Sequence, residues 1–339
     1  MIKNYIVVWA CDFSNFRGEG ILAREFLLRL SKLKKKNFYV KSNSGIFYVE
    51  KGKIKQIKKR KFEVSFISNY ISPFYGILFL WYNYFAKKKI LYLNYLPLWN
   101  TLIFLLAPPS TIFGPITGGS LITEKKIFKV FIRKYFFNIL YLISILFINI
   151  RGKSIIFSTD LLMKYKKFLL VRNKFLFCLC LYKKMKPRKK NIDLLIYNRV
   201  HNNKGTSELL KKIEIINVKK VLCVGDKIKN KKITNLGNIS REKLMKILSK
   251  TKYTFNNDEN YLSLFLIDSI SNKTIVFLTK NQLQVFKYFP KNNFIFYDLK
   301  KKEIFKNVNT TNHNKKVTSK KTIKIQNNIE KYMSNFFEL

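Results

Sequence analysis

In the second half of the chain, apolar runs of strand length alternate with segments of helical periodicity. Residues 192–197, 221–224, 253–256, 275–279 and 294–297 each predict a strand. Residues 206–216, 241–249 and 261–271 place apolar side chains at helical spacing. Strands alternating with helices predict a parallel α/β sheet. In the first half, residues 5–10 predict an opening strand, 15–20 a glycine-containing loop and 21–33 a helix, which is how a Rossmann-like unit begins. Basic strand-turn segments over 38–68 and a last strand at 155–158 complete this half. The Lys-dense stretch 182–190, containing Pro187, predicts a linker. The resulting division is an N-terminal domain over 1–181, a C-terminal domain over 191–306, and a polar loop with a last amphipathic helix over 307–339.

Three aromatic-aliphatic stretches interrupt this alternation. Residues 71–86 and 91–107 contain Pro, Asn or Gly and fall short of a spanning helix. Residues 136–150 are more continuous but include Asn138, Ser144 and Asn149, and Arg133, Lys134, Arg151 and Lys153 flank them. That segment is compatible with a membrane span, a buried core helix or a helix lying on a bilayer surface. The apolar run at the amino end stops at Cys11-Asp12 without a cleavage pattern, so it reads as a strand rather than a signal peptide.

Composition adds two domains as the natural size class for 339 residues, and a net charge of +47. Such a charge ordinarily points to nucleic acid or an anionic membrane. It is made of 56 Lys and only 10 Arg, alongside abundant Asn, Ile, Phe and Tyr, a balance that AT-biased codon usage produces. Nucleic-acid recognition favours Arg forks, and neither clustered Arg nor an aromatic RNA-binding motif occurs. The expectation is no nucleic-acid partner, and salt-sensitive attachment to an anionic membrane surface instead. Cys178 and Cys180 are too close for an ordinary bridge and lack a second pair for zinc; with Cys11 and Cys223 they read as reduced thiols of a cytoplasmic protein, with no metal site.

Polar residues gather where the predicted strands of the second half end. They are Arg199, Lys204-Gly205, Gly225-Asp226, Leu236-Gly237, Glu259 and Asp268. In open α/β sheets ligands bind at that edge. An Arg and a Lys five positions apart suit an anionic ligand such as a diphosphate, and carboxylates suit sugar hydroxyls. Plainer alternatives exist for each: surface charge for Arg199 and Lys204, a favourable charge at a helix N-terminus for Glu259, and a Lys partner for Asp268. Glu259 stands out because the chain has 19 acidic residues against 66 basic ones. Gly18 and Gly20 form a Gly-x-Gly in the first loop, a weak phosphate-binding signal.

In order and spacing these motifs resemble the GT-B glycosyltransferases, in particular the group 1 family of bacterial polysaccharide and lipopolysaccharide synthesis. The carriers are Arg199, Lys204-Gly205, Val224-Gly225, Leu236-Gly237 and the stretch from Glu259 to Asp268, with Gly114-Pro115-Ile-Thr-Gly118-Gly119 as a further glycine-rich turn in the first half. The resemblance covers about residues 5–300. It implies an α/β fold of two Rossmann-like domains whose parallel sheets face across a cleft. It implies Arg199 and Lys204 on the donor diphosphate, Gly225 at the nucleotide, and Glu259 as the catalytic carboxylate facing the donor sugar. Asp268 would accept from the ribose, and Gly18 and Gly20 would let the backbone approach donor or acceptor. Glu259 and Asp268 are nine residues apart, one more than the family spacing, with Asn260 in the alternative register. The only histidines are His201 and His313, so the first-domain His of many relatives has no counterpart.

The expected activity is metal-independent transfer of a hexosyl group from a nucleotide sugar to a lipid-linked or polysaccharide acceptor, peripheral at the cytoplasmic membrane face and without a cofactor. The alternatives are a basic RNA- or ribosome-binding protein and a catalytically inactive relative.

Overall fold

The computed structural model describes residues 5–14, 18–34, 36–59, 66–117, 127–151, 156–158, 165–170, 174–176, 185, 188–198, 218–255, 263–278, 289 and 291–296. These fall into two compact units, 5–176 and 185–296.

The first unit is an eight-stranded sheet in the order β4-β3-β2-β1-β5-β6-β7-β8. β1 (Tyr5–Trp9) is its centre, with Val7, Val8 and Trp9 all buried. β2 (Asn37–Ser42) runs parallel to β1, and β3 (Gly45–Glu50) and β4 (Lys53–Lys59) extend the sheet antiparallel. The strict alternation of buried and half-buried residues in β2 and β3 follows from covering one face only. On the other side β5 (Ile90–Pro97), β6 (Ile112–Thr117), β7 (Ile156–Ser158) and β8 (Lys174–Leu176) are parallel.

Helices α2 (Phe66–Phe85), α3 (Thr101–Leu106) and α4 (Ile127–Ile150) share one face of this sheet. Ile77, Leu80, Phe104, Tyr141, Ile145 and Ile148 pack there against Val7, Trp9, Ile90, Tyr92 and Phe113. α1 (Gly18–Lys34) meets β2, β3 and β5, and its buried Phe26, Leu27 and Leu30 lie outside that cluster, so it covers the opposite face. Gly76 of α2 lies where a Cβ would come within 2.2 Å of the Trp9 indole nitrogen, so this helix closes on the sheet only with glycine there.

The stretch 91–107 resolves into strand β5 followed by α3, and three sequence expectations change here. Gly114-Pro115-Ile116-Thr117 is not a turn but part of β6. Pro115 has no N–H to give the ladder, and the pairings of β6 with β5 and with β7 are irregular around it. Residues 156–158 are not the last strand of the unit, because β8 follows. Among the described residues no helix is long and apolar enough to cross a membrane, which removes the spanning reading of 136–150.

The second unit is a six-stranded, all-parallel sheet in the order β11-β10-β9-β12-β13-β14. β9 (Ile192–Asn198) and β10 (Val221–Gly225) are buried on both faces, which is why they read as unbroken apolar runs. β11 (Ile233–Asn235), β12 (Thr251–Phe255), β13 (Ile275–Leu278) and β14 (Phe294–Phe296) complete it. α5 (Arg241–Leu248) starts at Ser240, whose Oγ accepts from the Lys243 amide. α6 (Leu264–Ser271) starts at Ser263, whose Oγ accepts from Leu266. The helix predicted at 206–216 lies outside the described residues.

Part of the predicted linker belongs to this unit. The Met185 amide donates to Ser271 O, and Lys190 Nζ donates to Leu248 O at 3.3 Å and Asn272 O at 2.9 Å. Lys190 thus bridges the carboxyl ends of both helices.

Candidate functional site

Reading the six strands of the second unit in chain order gives the spatial order 3-2-1-4-5-6. The direction of winding reverses between β9 and β12. The carboxyl ends of those two strands therefore flank the crevice where doubly wound sheets bind nucleotides.

At that edge the ends of β9 and β10 are tied together by backbone and amide bonds. Asn198 is buried; its Nδ2 donates to Asp226 O at 3.0 Å, and the Asp226 amide returns a bond to Asn198 O at 3.0 Å. Gly225 donates to Gly237 O, also at 3.0 Å, and Leu236 to Cys223 O at 2.8 Å. Gly225 has φ +97°, and a Cβ there would lie 2.0 Å from the Asn198 carbonyl oxygen. Only glycine permits this close approach. Gly237 has open space around it but a φ of +66°, which turns the chain toward Ser240 and α5. The Cys223 thiol below is pushed up to about 11 by burial, with the Asp226 charge adding to it, so it stays protonated at neutral pH.

Asp268 lies within α6 and is 1% exposed. Arg241, the first residue of α5, grips it with both arms: Nε to Oδ2 at 2.9 Å and Nη2 to Oδ1 at 2.7 Å. The plainer alternative for Asp268 named a Lys; the partner is this Arg, held by the rigid fork that suits a carboxylate. Arg241 was not singled out from sequence. Its scarcity as a residue type and its place directly after a serine N-cap are the signals available there.

Arg199, Lys204, Gly205 and Glu259 lie outside the described residues, as do Gly118 and Gly119. In the chain, Arg199 follows Asn198, the last residue of β9, and Glu259 comes four residues after Phe255, the last of β12.

In the first unit, Gly18 opens α1. Gly20 packs onto the end of the β1 loop: a Cβ would lie 2.6 Å from Ser14 N and 2.8 Å from Asp12 Oδ1, the atom that accepts from the Ser14 amide. A neighbouring loop of the protein itself thus accounts for the glycine at 20. Arg24 secures the same loop, donating to Phe13 O at 3.1 Å with its guanidinium 5.3 Å from the Phe13 ring centroid. Among the described residues no group of three His, Cys, Asp or Glu could hold a metal.

No family model and no curated protein sequence matches the chain. Solved structures do match in fold. The sucrose-phosphate synthase from Thermosynechococcus elongatus superposes with a TM-score of 0.56 at 11% identity, over 88% of this chain and 87% of that one. WaaG, a glycosyltransferase involved in lipopolysaccharide biosynthesis, superposes with a TM-score of 0.51 at 9% identity, over 98% of this chain and 95% of its own. At these identities the likeness is one of fold. The fold is GT-B, with two Rossmann-like domains in one chain.

Proposed function

We propose that the chain is a glycosyltransferase that moves a sugar from a nucleotide-sugar donor to a lipid-linked or polysaccharide acceptor at the cytoplasmic face of a membrane, without a bound metal. The observation that carries the reading is the switch point of the second sheet. β9 and β12 flank it, and the next polar residues in the chain after them are Arg199 and the carboxylate-bearing loop with Glu259. Both solved structures named above belong to sugar-transferring proteins of the same fold, which supports the reaction class.

Glycosyl transfer breaks the bond between the sugar's anomeric carbon and a diphosphate oxygen. Negative charge grows on that oxygen as the bond lengthens. Arg199 and Lys204 would bind the diphosphate and neutralise that growing charge with charge-assisted hydrogen bonds. Glu259 would accept from the donor sugar's hydroxyls, and Gly225 would let the nucleotide approach the strand end. Asp268 would accept from the ribose beside the fork that Arg241 makes on it. Gly18 and Gly20 would offer a backbone approach to donor or acceptor, Gly20 in addition to its packing on the Asp12–Ser14 loop.

A thermal-shift screen against UDP-, GDP- and ADP-sugars tests the proposal. A ligand at 100 times its Kd adds about 2.7 kcal/mol of apparent stability. Stabilisation by one nucleotide class together with transfer is the expected result. Stabilisation without turnover identifies the inactive relative instead, and indifference to all three classes removes the reading.

A further inference from the structure

The helical layer α2–α3–α4 is apolar on both of its sides. Its inner side forms the core described above. On its outer side, α2 exposes Ile71, Leu78, Tyr82 and Phe85, with Leu78 at 68% and Tyr82 at 76%. α4 exposes Tyr135, Ile139, Leu146 and Ile150 at intervals of four, seven and four, a single stripe along the helix. α3 adds Leu102, Leu105 and Leu106.

These stripes belong to one continuous surface. Trp81 of α2 donates from its indole to Leu106 O at 2.7 Å, and Trp99, just ahead of α3, stacks on Phe137 of α4 with centroids 5.7 Å apart. The Arg151 guanidinium at the end of α4 donates to Leu105 O of α3. An apolar surface three helices wide, fixed by such ties, marks an interaction site.

The charge around it selects the partner. None of the three helices contains an Asp or a Glu. Lys87, Lys88 and Lys89 follow α2 directly, and Arg151 follows α4. Both helices lead into parallel strands of one sheet, so these cations share the rim at the strands' amino edge. Exposed Tyr82, just before this cationic rim, suits the headgroup boundary of a bilayer. A second copy of this face would bring like charge to like charge in a chain carrying +47.

We propose that the outer face of α2, α3 and α4 is a monolayer-inserting surface that docks the first unit on an anionic bilayer. This deepens the proposed membrane-face reading by naming the surface, and it rests on that reading only for its purpose. Insertion of apolar side chains also means that salt weakens the attachment without abolishing it, since screening acts on the lysines alone.

Vesicle flotation of the full chain decides the matter, using phosphatidylcholine vesicles with and without phosphatidylglycerol. The parent should float with the anionic vesicles and keep a residual bound fraction at high salt. Leu78→Glu/Tyr82→Glu should lower the partition coefficient about 10-fold or more while leaving the melting temperature unchanged. Should that variant fail to fold, Ile139→Glu on α4 probes the same face. A parent that stays with neither vesicle type, or variants that float like the parent, would overturn the proposal. So would light scattering that reports a dimer dissolved by Leu78→Glu/Tyr82→Glu. Donor-induced thermal shift is recorded in parallel: vesicle binding with no response to any donor upholds the surface and rejects only the transferase reading.

Discussion

At the scale of single residues, the two carboxylates proposed for the site stand in different circumstances. Asp268 is buried and held by Arg241, whose side chain is itself only 11% exposed. Removing one partner of a buried pair costs about 3–5 kcal/mol where the remaining charge depends on it. Asp268→Asn should therefore lower the unfolding free energy by roughly that amount in a urea titration, before any effect on donor binding. An unchanged midpoint would mean the fork contributes nothing in solution. Glu259→Gln should leave stability alone and lower kcat at least about 10-fold, equal to 1.4 kcal/mol, with nucleotide affinity nearly unchanged. Parental turnover in that variant would release Glu259 from the sugar-facing role. The sequence exposed Asp268 through its position after an apolar helical run. It hid the partner, because Arg241 is 27 residues away and only the packing of α5 on α6 joins them.

Among elements, legibility followed burial. β9, β10 and β12 are buried on both faces and long enough to show as apolar runs. β11, with only Ile233 buried, leaves no apolar run to read. β6 was disguised by Gly114-Pro115, a pair that signals a turn unless the flanking strands hold it extended. The glycine that ends β10 was legible as a strand end, but its physical reason was not: the Asn198 carbonyl occupies the place of a Cβ. Gly225→Ala should consequently destabilise the second unit by about 2–4 kcal/mol, combining strain at positive φ with displacement of backbone. Denaturant unfolding of the variant checks this, and a loss below about 0.5 kcal/mol would contradict the close approach. The junction to this unit carries a pH signature. Burial lowers the Lys190 pKa from 10.5 to about 8, with the nearby Lys273 adding to it. Below pH 8 both folded and unfolded chains hold the proton, and the buried charge counts against the fold. Between pH 8 and 10.5 the unfolded chain keeps the proton that the folded chain releases, so this group makes folding more favourable as pH rises. Lys190→Met should flatten that part of the stability-pH curve relative to the parent; identical slopes would show that Lys190 titrates normally.

For the whole molecule, composition alone pointed two ways, since +47 suits nucleic acid as well as anionic lipid. The proposed docking face rests on the arrangement of apolar surface rather than on the amount of charge: three acid-free helices present an exposed apolar face beside a lysine rim. The two Rossmann-like sheets were legible because alternation of strand and helix leaves few topologies open. The reversal of strand order at β9 and β12 emerged only with the sheet assembled, and it sets beside one crevice the ends of the two strands that precede Arg199 and Glu259 in the chain. Titration calorimetry of nucleotide-sugar donors into the parent and into Lys204→Ala tests the proposed donor site most directly. Charge-assisted hydrogen bonds contribute about 1.5–3 kcal/mol each, so the variant should bind the preferred donor roughly 10- to 100-fold more weakly while unfolding at the parental midpoint. Equal affinity of parent and variant for every donor that binds would contradict a diphosphate site at the end of β9.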